Sequence, residues 1–257
     1  MSRVILAGQL DVAELCFYAF VLFFIGLVFY LRREDRREGY PLEDTVTGRV
    51  DSSWGPLSAS MYKEFKLPFG RGVATMPTKG REPVDIAARR IDRFPGAPYE
   101  PTGNPLVDGI GPAAYAQRAA WPDQDRHGNP RIVPMASDDH VSIASGDPDP
   151  RGWTVVGADG KPAGTVTDLW VDRAEHVVRY YAVRTTGGRE ILAPIGFANI
   201  HRSKRVIEVE SISAAQFEQV PVVETPGQVT RLEEDKIMGY FGGGYLYGLP
   251  GRTEPFL

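Results

Sequence analysis

Cysteine is almost absent: the single residue, Cys16, sits inside an apolar run. An intrachain disulfide and a cysteine-built metal centre are therefore excluded, and thiols say nothing of the redox compartment. Positive charge is not in excess either. Lys and Arg number 29 against 33 Asp and Glu, for a net charge of −4 and a pI of about 5.7. A broad nucleic-acid surface rests on clustered cations, so nucleic acid is not an expected partner. The chain lacks a G-x-S-x-G elbow, and no Lys-Ser or Lys-Thr follows Gly242, Gly243 and Gly244. That leaves neither a hydrolase nucleophile nor a phosphate loop. The triple glycine reads as a C-terminal cap or turn after a helix. No internal repeat is evident, and no constellation supports an independent enzyme.

Charge is also missing locally. Residues 15–31 carry none, and the run ends in Arg32, Arg33, Glu34, Asp35, Arg36, Arg37 and Glu38. At about 1.5 Å per residue, the ~30 Å hydrocarbon core needs roughly 20 residues, which residues 12–31 supply with Glu14 near one interface. One membrane span fits. The alternatives are a buried core helix and a signal peptide; the latter calls for a basic start, a shorter apolar core and a small-residue cleavage site, whereas this run ends in a charge block. Four arginines follow the run while Asp11 and Glu14 precede it, so the arginine bias puts the N-terminus outside and the C-terminus in the cytoplasm. Tyr18 and Tyr30 suit interfacial anchoring, and Arg32 and Arg33 suit anionic lipid headgroups or an ordinary stop-transfer role.

From residue 39 to about residue 130 sustained periodicity is lacking, and prolines recur too often for long helices or central strands. Yet Trp54, Tyr62, Phe65, Phe69, Phe94, Tyr99 and Tyr115 are interleaved with them, and disordered linkers are poor in aromatics. The segment reads as an extended arm whose rings bury on something else, another subunit being one choice, or as a loose tether. After Gly152 the pattern turns β-like. "WTVVGA", "TVTDLWVD", "VVRYYAVRT", "REILAPI" and "RVIEVESI" read as five short strands with tight turns, in a small antiparallel barrel or rolled sheet. In the last of them Ile207 and Val209 share one face and Glu208 and Glu210 the other. Two helices follow, each opened by a capping-box pattern: Ser213 with Gln216, and Thr230 with Glu233.

Two groups carry candidate chemistry. In "DQDRHGNP", Asp123, Asp125 and His127 alternate within a turn-forming segment; they fit a weak divalent-metal site, a proton relay or a plain solvated loop. Glu175 and Arg179 stand four apart, with Glu175 expected in a turn and Arg179 in the strand after it. A structural ion pair is the default reading for them. His140, His176 and His201 are scattered and read as incidental.

Several long motifs in order resemble one family from end to end. "YLRREDRREGYPLE" follows the span, "PTGNPLVDGIGPAAYAQRA" lies in the arm, "GTVTDLWVD" followed by "EH" lies in the β region, and "LEEDKIMGYFGGGYLY" comes near the C-terminus. Together they resemble the H subunit of the photosynthetic reaction centre of purple bacteria, and the β region looks like a PRC-barrel. The resemblance implies a non-catalytic subunit that caps the cytoplasmic side of the L and M subunits, stabilises the complex and helps deliver protons to the secondary quinone. It implies that the chain binds no cofactor itself, while the complex holds bacteriochlorophyll, bacteriopheophytin, quinones and non-haem iron in the partner subunits. A cytochrome subunit and a light-harvesting antenna are further expected neighbours, and membrane lipids meet Tyr30, Arg32 and Arg33.

Asp125 and His127 match the family's proton-entry region, with His127 as surface donor and Asp125 as local acceptor. Some members place a second histidine where this chain has Asn129, so entry rests on His127 with Asp123 and Asp125; Asp125 and His127 are also a candidate inhibitory Zn²⁺ site. Glu175 and Arg179 match the family's acidic and basic pair on the path toward the quinone, where a partly buried Glu175 would carry protons and Arg179 would oppose the effect of burial. The expected organisation is a periplasmic N-terminus over residues 1–11, a transmembrane helix with stop-transfer charges over 12–35, an extended cytoplasmic arm over 36–130 and a PRC-barrel-like domain with C-terminal helices over 131–257. The expected location is the bacterial inner or intracytoplasmic membrane, crossed once. A membrane-tethered PRC-barrel adaptor that recruits a soluble partner is the alternative.

Overall fold

The apolar run forms a helix in the chain's first compact unit. The computed structural model describes residues 5–7, 10–35, 63–76, 85–94 and 96–252. Residues 1–84 and 91–98 make up this unit. Strand β1 (Ile5–Ala7) pairs antiparallel with β2 (Leu10–Asp11), and helix α1 (Val12–Asp35) follows directly. Asp11 Oδ1 accepts the Glu14 N–H at 2.8 Å, satisfying one free donor of the first turn. Arg32 and Arg33 occupy the last turn, where cations suit the helix dipole. The helix has 24 residues, none of them buried, and is long and apolar enough to cross a membrane. Strands β3 (Lys63–Lys66) and β4 (Val73–Met76) form a hairpin. Phe65 and Phe69 are exposed on it, with the Lys63 ammonium and the Arg71 guanidinium each 5.7 Å from a ring centre. Trp54 and Tyr62 of the arm lie outside the described residues.

Residues 85–90 and 99–257 make up the second unit. Strands β5 (Ala88–Arg90) and β6 (Tyr99–Pro101) pair, and the single-turn α2 (Pro105–Asp108) follows. β7 (Ile132–Pro134), β8 (Thr154–Val156), β9 (Pro162–Asp172), β10 (Val177–Thr185), β11 (Glu190–Pro194), β12 (Ala198–His201) and β13 (Val206–Val209) build one sheet. Its order is β11-β10-β9-β8-β13-β12, with β7 added on β9. Pairing is antiparallel except for β8 with β13, which run parallel, and no pairing of β11 with β12 closes a cylinder among the described residues. All five strands expected from the sequence are present. β7 (three residues) and β12 (four residues) are additional.

Alternation fixes which side faces the core. Val155, Val166, Val183, Ile207 and Val209 are at most 1% exposed, while Glu208 turns outward to His201, Oε2 to Nε2 at 2.6 Å. The inner face is covered by Phe217, Tyr240 and Phe241. Of the two helices expected after the sheet, the first is six residues of 3-10 helix, Ala214–Gln219, whose Ser213 N–H donates to Gln216 Oε1 at 2.8 Å. The second is α3 (Arg231–Tyr247), opened by a full capping box in which Thr230 and Glu233 exchange bonds of 2.7 and 3.1 Å.

The triple glycine is not a cap. Gly242, Gly243 and Gly244 lie inside α3, and the C-cap is Gly248. The cause is close packing: a Cβ on Gly243 would meet the Ala113 Cβ at 2.5 Å, and one on Gly244 would meet Ser211 O at 2.6 Å. The helix therefore lies directly on residues 111–113 and 211–212, which side chains would prevent. Residues 99–130, expected in the arm, fold against this helix. Arg118 Nε donates to Asp235 at 2.9 Å, and Pro122 bridges Thr230.

Candidate functional site

The segment 123–131 is a small hairpin whose strands are tied by bonds from Arg131 N–H to Asp123 O and from Asp125 N–H to Asn129 O, both 2.9 Å. Its tip turns at Gly128, with φ +87°, a conformation that a side chain would strain. Asp125 shapes that tip. Its Oδ1 accepts the N–H groups of His127 at 2.8 Å and Asn129 at 2.9 Å, and its Oδ2 accepts Asn129 Nδ2 at 3.3 Å. These donors, the Asn129 backbone first, hold the Asp125 carboxyl below the usual carboxylate range. At neutral pH Asp125 is thus a firm anion that orders the loop rather than a base awaiting a proton. Arg126 Nε donates to His127 Nε2 at 2.9 Å, a bond that needs the lone pair of that nitrogen. Among the described residues no three metal-binding side chains converge, so Asp125 and His127 stand as a pair without a third donor.

Behind the loop lies a polar cavity of about 380 Å³ lined by Asp123, Arg131, Asp172, Glu175, Arg179 and Glu234, with Arg118, Tyr180, Arg231 and Asp235 also in its wall. Arg131 organises it. The pairing of β7 with β9, Ile132 opposite Asp172, sets Arg131 beside the end of β9. From there its guanidinium reaches Asp172 at 2.6 Å, Glu175 at 3.0 Å and Asp123 at 3.3 Å. Asp172 is 4% exposed, and its Oδ1 also accepts the N–H groups of Ala174 at 2.8 Å and Glu175 at 3.2 Å. A buried carboxylate with such partners is fully compensated. Arg131 also lines the open recess that holds Gln124, Asp125, Arg126 and His127. Arg131 is therefore a wall residue common to the histidine recess and the carboxylate cavity.

The side chains named from the sequence divide accordingly. Asp123, Glu175 and Arg179 share the cavity, and Asp125 and His127 share the adjoining recess. Glu175 lies in the turn between β9 and β10, and Arg179 within β10. The expected Glu175–Arg179 ion pair is replaced by Glu175–Arg131, because a turn followed by a strand does not stack residues four apart as a helix does. The Glu175 side chain is 56% exposed in this chain. Tyr30 and Arg32 are exposed at the end of α1, Arg32 meeting Asp35 at 3.9 Å.

Sequence reasoning missed most of the cavity wall, Arg131, Asp172, Tyr180 and Glu234 among it. Glu234 sits in the first turn of α3, and its Oε2 accepts the Tyr180 hydroxyl at 2.9 Å. Burial pushes the Glu234 carboxyl up from its ordinary value, against the Tyr180 bond and the Arg179 charge, while Asp123 and Asp172 add to the rise. Burial first, then the Glu234 charge, drives Tyr180 far above the ordinary phenol value, so its hydroxyl stays a donor. No signal in the sequence links residues 54 positions apart.

Protein-family models match the chain twice. The model of the photosynthetic reaction centre, H-chain N-terminal region, matches residues 4–137, and the PRC-barrel domain matches residues 144–216. The second match covers β8 to β13, and the first covers α1, the hairpin carrying His127 and more than half of the 257 residues. The chain belongs to the photosynthetic reaction-centre H-chain family.

Proposed function

We propose that this chain is the non-pigment, non-catalytic subunit that caps the cytoplasmic side of the L and M subunits, stabilises their complex and assists proton transfer to the secondary quinone. The observation that carries the proton role is the carboxylate cavity joined to the His127 recess through Arg131. A quinone reduced twice takes up two protons, and its site is shielded from water by protein, so titratable groups must reach from the cytoplasm inward. His127 serves as the entry, Asp125 holds the entry loop, and Asp123, Glu175 and Arg179 with Arg131 form the inner station. Family membership supports the assignment of L and M as partners.

In this reading α1 crosses the membrane once with its N-terminus periplasmic, and Tyr30, Arg32 and Arg33 meet the lipid interface. The exposed rings of Phe65, Phe69, Phe94 and Tyr99 supply area for burial on the partner subunits. Bacteriochlorophyll, bacteriopheophytin, quinones and non-haem iron belong to those partners, with the cytochrome subunit and antenna as outer neighbours.

The test is purification of the complex through a tag on this chain, followed by flash-induced electron transfer in wild type and Glu175→Gln. Near-infrared bands that bleach on illumination and two companion membrane subunits are expected, with the second electron transfer slowed in the variant and the first retained. A colourless preparation, alongside intact complexes that lack this chain, would turn the assignment to a membrane-tethered adaptor. Equal second-transfer rates from about pH 6 to about pH 9 would remove Glu175 from the path.

A further inference from the structure

We infer that Glu234, held by the Tyr180 hydroxyl in the wall of the carboxylate cavity, is the proton-storing carboxyl of this subunit, a role that rests on the proton-transfer reading above. Three observations converge on it. Glu234 opens into the same cavity as Glu175 and Arg131. Unlike Asp172 and Glu175, it receives no guanidinium from the described residues; the bond it accepts comes from a neutral phenol. Burial disfavours its ionised form, whereas Glu175 is tied to a cation and open to solvent.

The surroundings suit a group that gains and loses a proton. From the hairpin, Asp123 and Arg131 face the cavity; from the end of β9 and its turn, Asp172 and Glu175; from β10, Arg179 and Tyr180; from α3 itself, Arg231 and Asp235; and Arg118 from the segment before the hairpin. Arg131 is committed to three carboxylates and Arg118 to Asp235. Arg179 is the cation that opposes protonation of Glu234. The step is a plain proton transfer. A proton entering past His127 joins the Glu234 carboxylate at Oε1, since Oε2 holds the Tyr180 hydrogen, and later leaves Oε1 for the next acceptor toward the quinone. Tyr180 keeps its own proton throughout.

The experiment uses the intact complex. Light-induced infrared difference spectra are recorded on secondary-quinone reduction, with flash kinetics, for wild type, Glu234→Gln, Glu234→Asp and Glu175→Gln. Glu234→Gln is expected to lose a protonated-carboxyl C=O band. It is also expected to slow the second electron transfer about tenfold, less than the roughly hundredfold typical of a lone positioned acid–base group, because water in the open cavity offers a bypass. Glu234→Asp should restore part of the band and the rate. Unchanged bands and rates in Glu234→Gln, with Glu175→Gln slowed, would refute the inference and leave the proton-transfer reading standing. Normal kinetics in every variant, in complexes with all subunits present, would sink both. If Glu234→Gln does not assemble, Tyr180→Phe reads the same group with the carboxyl in place: a displaced C=O band is expected, and an unmoved one refutes the inference.

Discussion

Replacing Arg131 by methionine keeps much of the stem but removes the cation that three carboxylates share. Asp123 and Glu175 are about half exposed in their side chains, and pairs of that kind contribute roughly 0–1 kcal/mol each. Asp172 is different, because it is buried and bonded to the guanidinium through both oxygens, at 2.6 and 3.3 Å. Removing one partner of a buried pair costs about 3–5 kcal/mol. The N–H groups of Ala174 and Glu175 remain on Oδ1, which puts the expected loss near the low end, about 3 kcal/mol. At about 2–4 °C per kcal/mol for a domain of this size, the unfolding midpoint should fall by about 6–12 °C.

The assay is thermal unfolding of the full chain in mild detergent, followed by circular dichroism, for Arg131→Met, Asp172→Asn and the double variant. If an uncompensated buried charge causes the loss, the double variant should be more stable than Arg131→Met alone, since asparagine removes the charge that lost its partner. A double variant no more stable than Arg131→Met would mean that lost packing of the arginine stem causes the fall. A single variant within about 1 °C of wild type would refute the account of Asp172 altogether.

Gly243→Ala puts a Cβ 2.5 Å from that of Ala113, so a change that stabilises an exposed helix by about 1 kcal/mol should here destabilise by about 1–3 kcal/mol through overpacking, read as a lower unfolding midpoint. His127→Ala should slow proton uptake by the complex, and added Zn²⁺ should inhibit wild type more than the variant; Arg126→Ala, which frees His127 Nε2, should strengthen that inhibition, and equal inhibition of all three would locate entry elsewhere. For Glu234 the folded carboxyl is raised above its unfolded value, so the folded state binds more protons between the two values and its stability falls as pH rises through that window. Glu234→Gln removes this dependence: its unfolding midpoint should gain on wild type as pH rises above the ordinary carboxylate range, and a difference that stays constant with pH would contradict the burial argument.

How much of this was legible depended on whether the information was local. The span needed only a charge-free run followed by arginines. The five expected strands had a β-like pattern bounded by turns, as in the alternation of Ile207 and Val209, and both helix starts had their capping residues in sequence. The glycines of α3 misled because glycine reports only that a side chain is unwanted, whether for a turn or for a close neighbour, and the neighbour, Ala113, stands 130 positions earlier. The site divided in the same way. His127 and Asp125 sit within one turn and could be named together. Arg131 and Glu234 gain meaning only when β7 meets β9 and α3 packs on the sheet, which no spacing records.

That division also explains why Glu175 and Glu234 differ despite sharing one cavity. Glu175 comes from an exposed turn, so water and Arg131 both keep its charge cheap to hold. Glu234 comes from the first turn of a helix packed by its glycines directly on residues 111–113 and 211–212, and Tyr180 reaches it from β10. Burial there costs the ionised form hydration, and the phenol restores only part of it, since a hydrogen bond from a neutral group offsets less than an ion pair does. A relay needs both kinds of group: one that stays charged to draw protons in from solvent, and one balanced closely enough to take them up and release them. Close packing of α3 thus contributes to the chemistry as well as to the fold, and loosening it at Gly243 should disturb proton handling at Glu234, about two and a half turns away along the same helix, by admitting water behind the carboxyl.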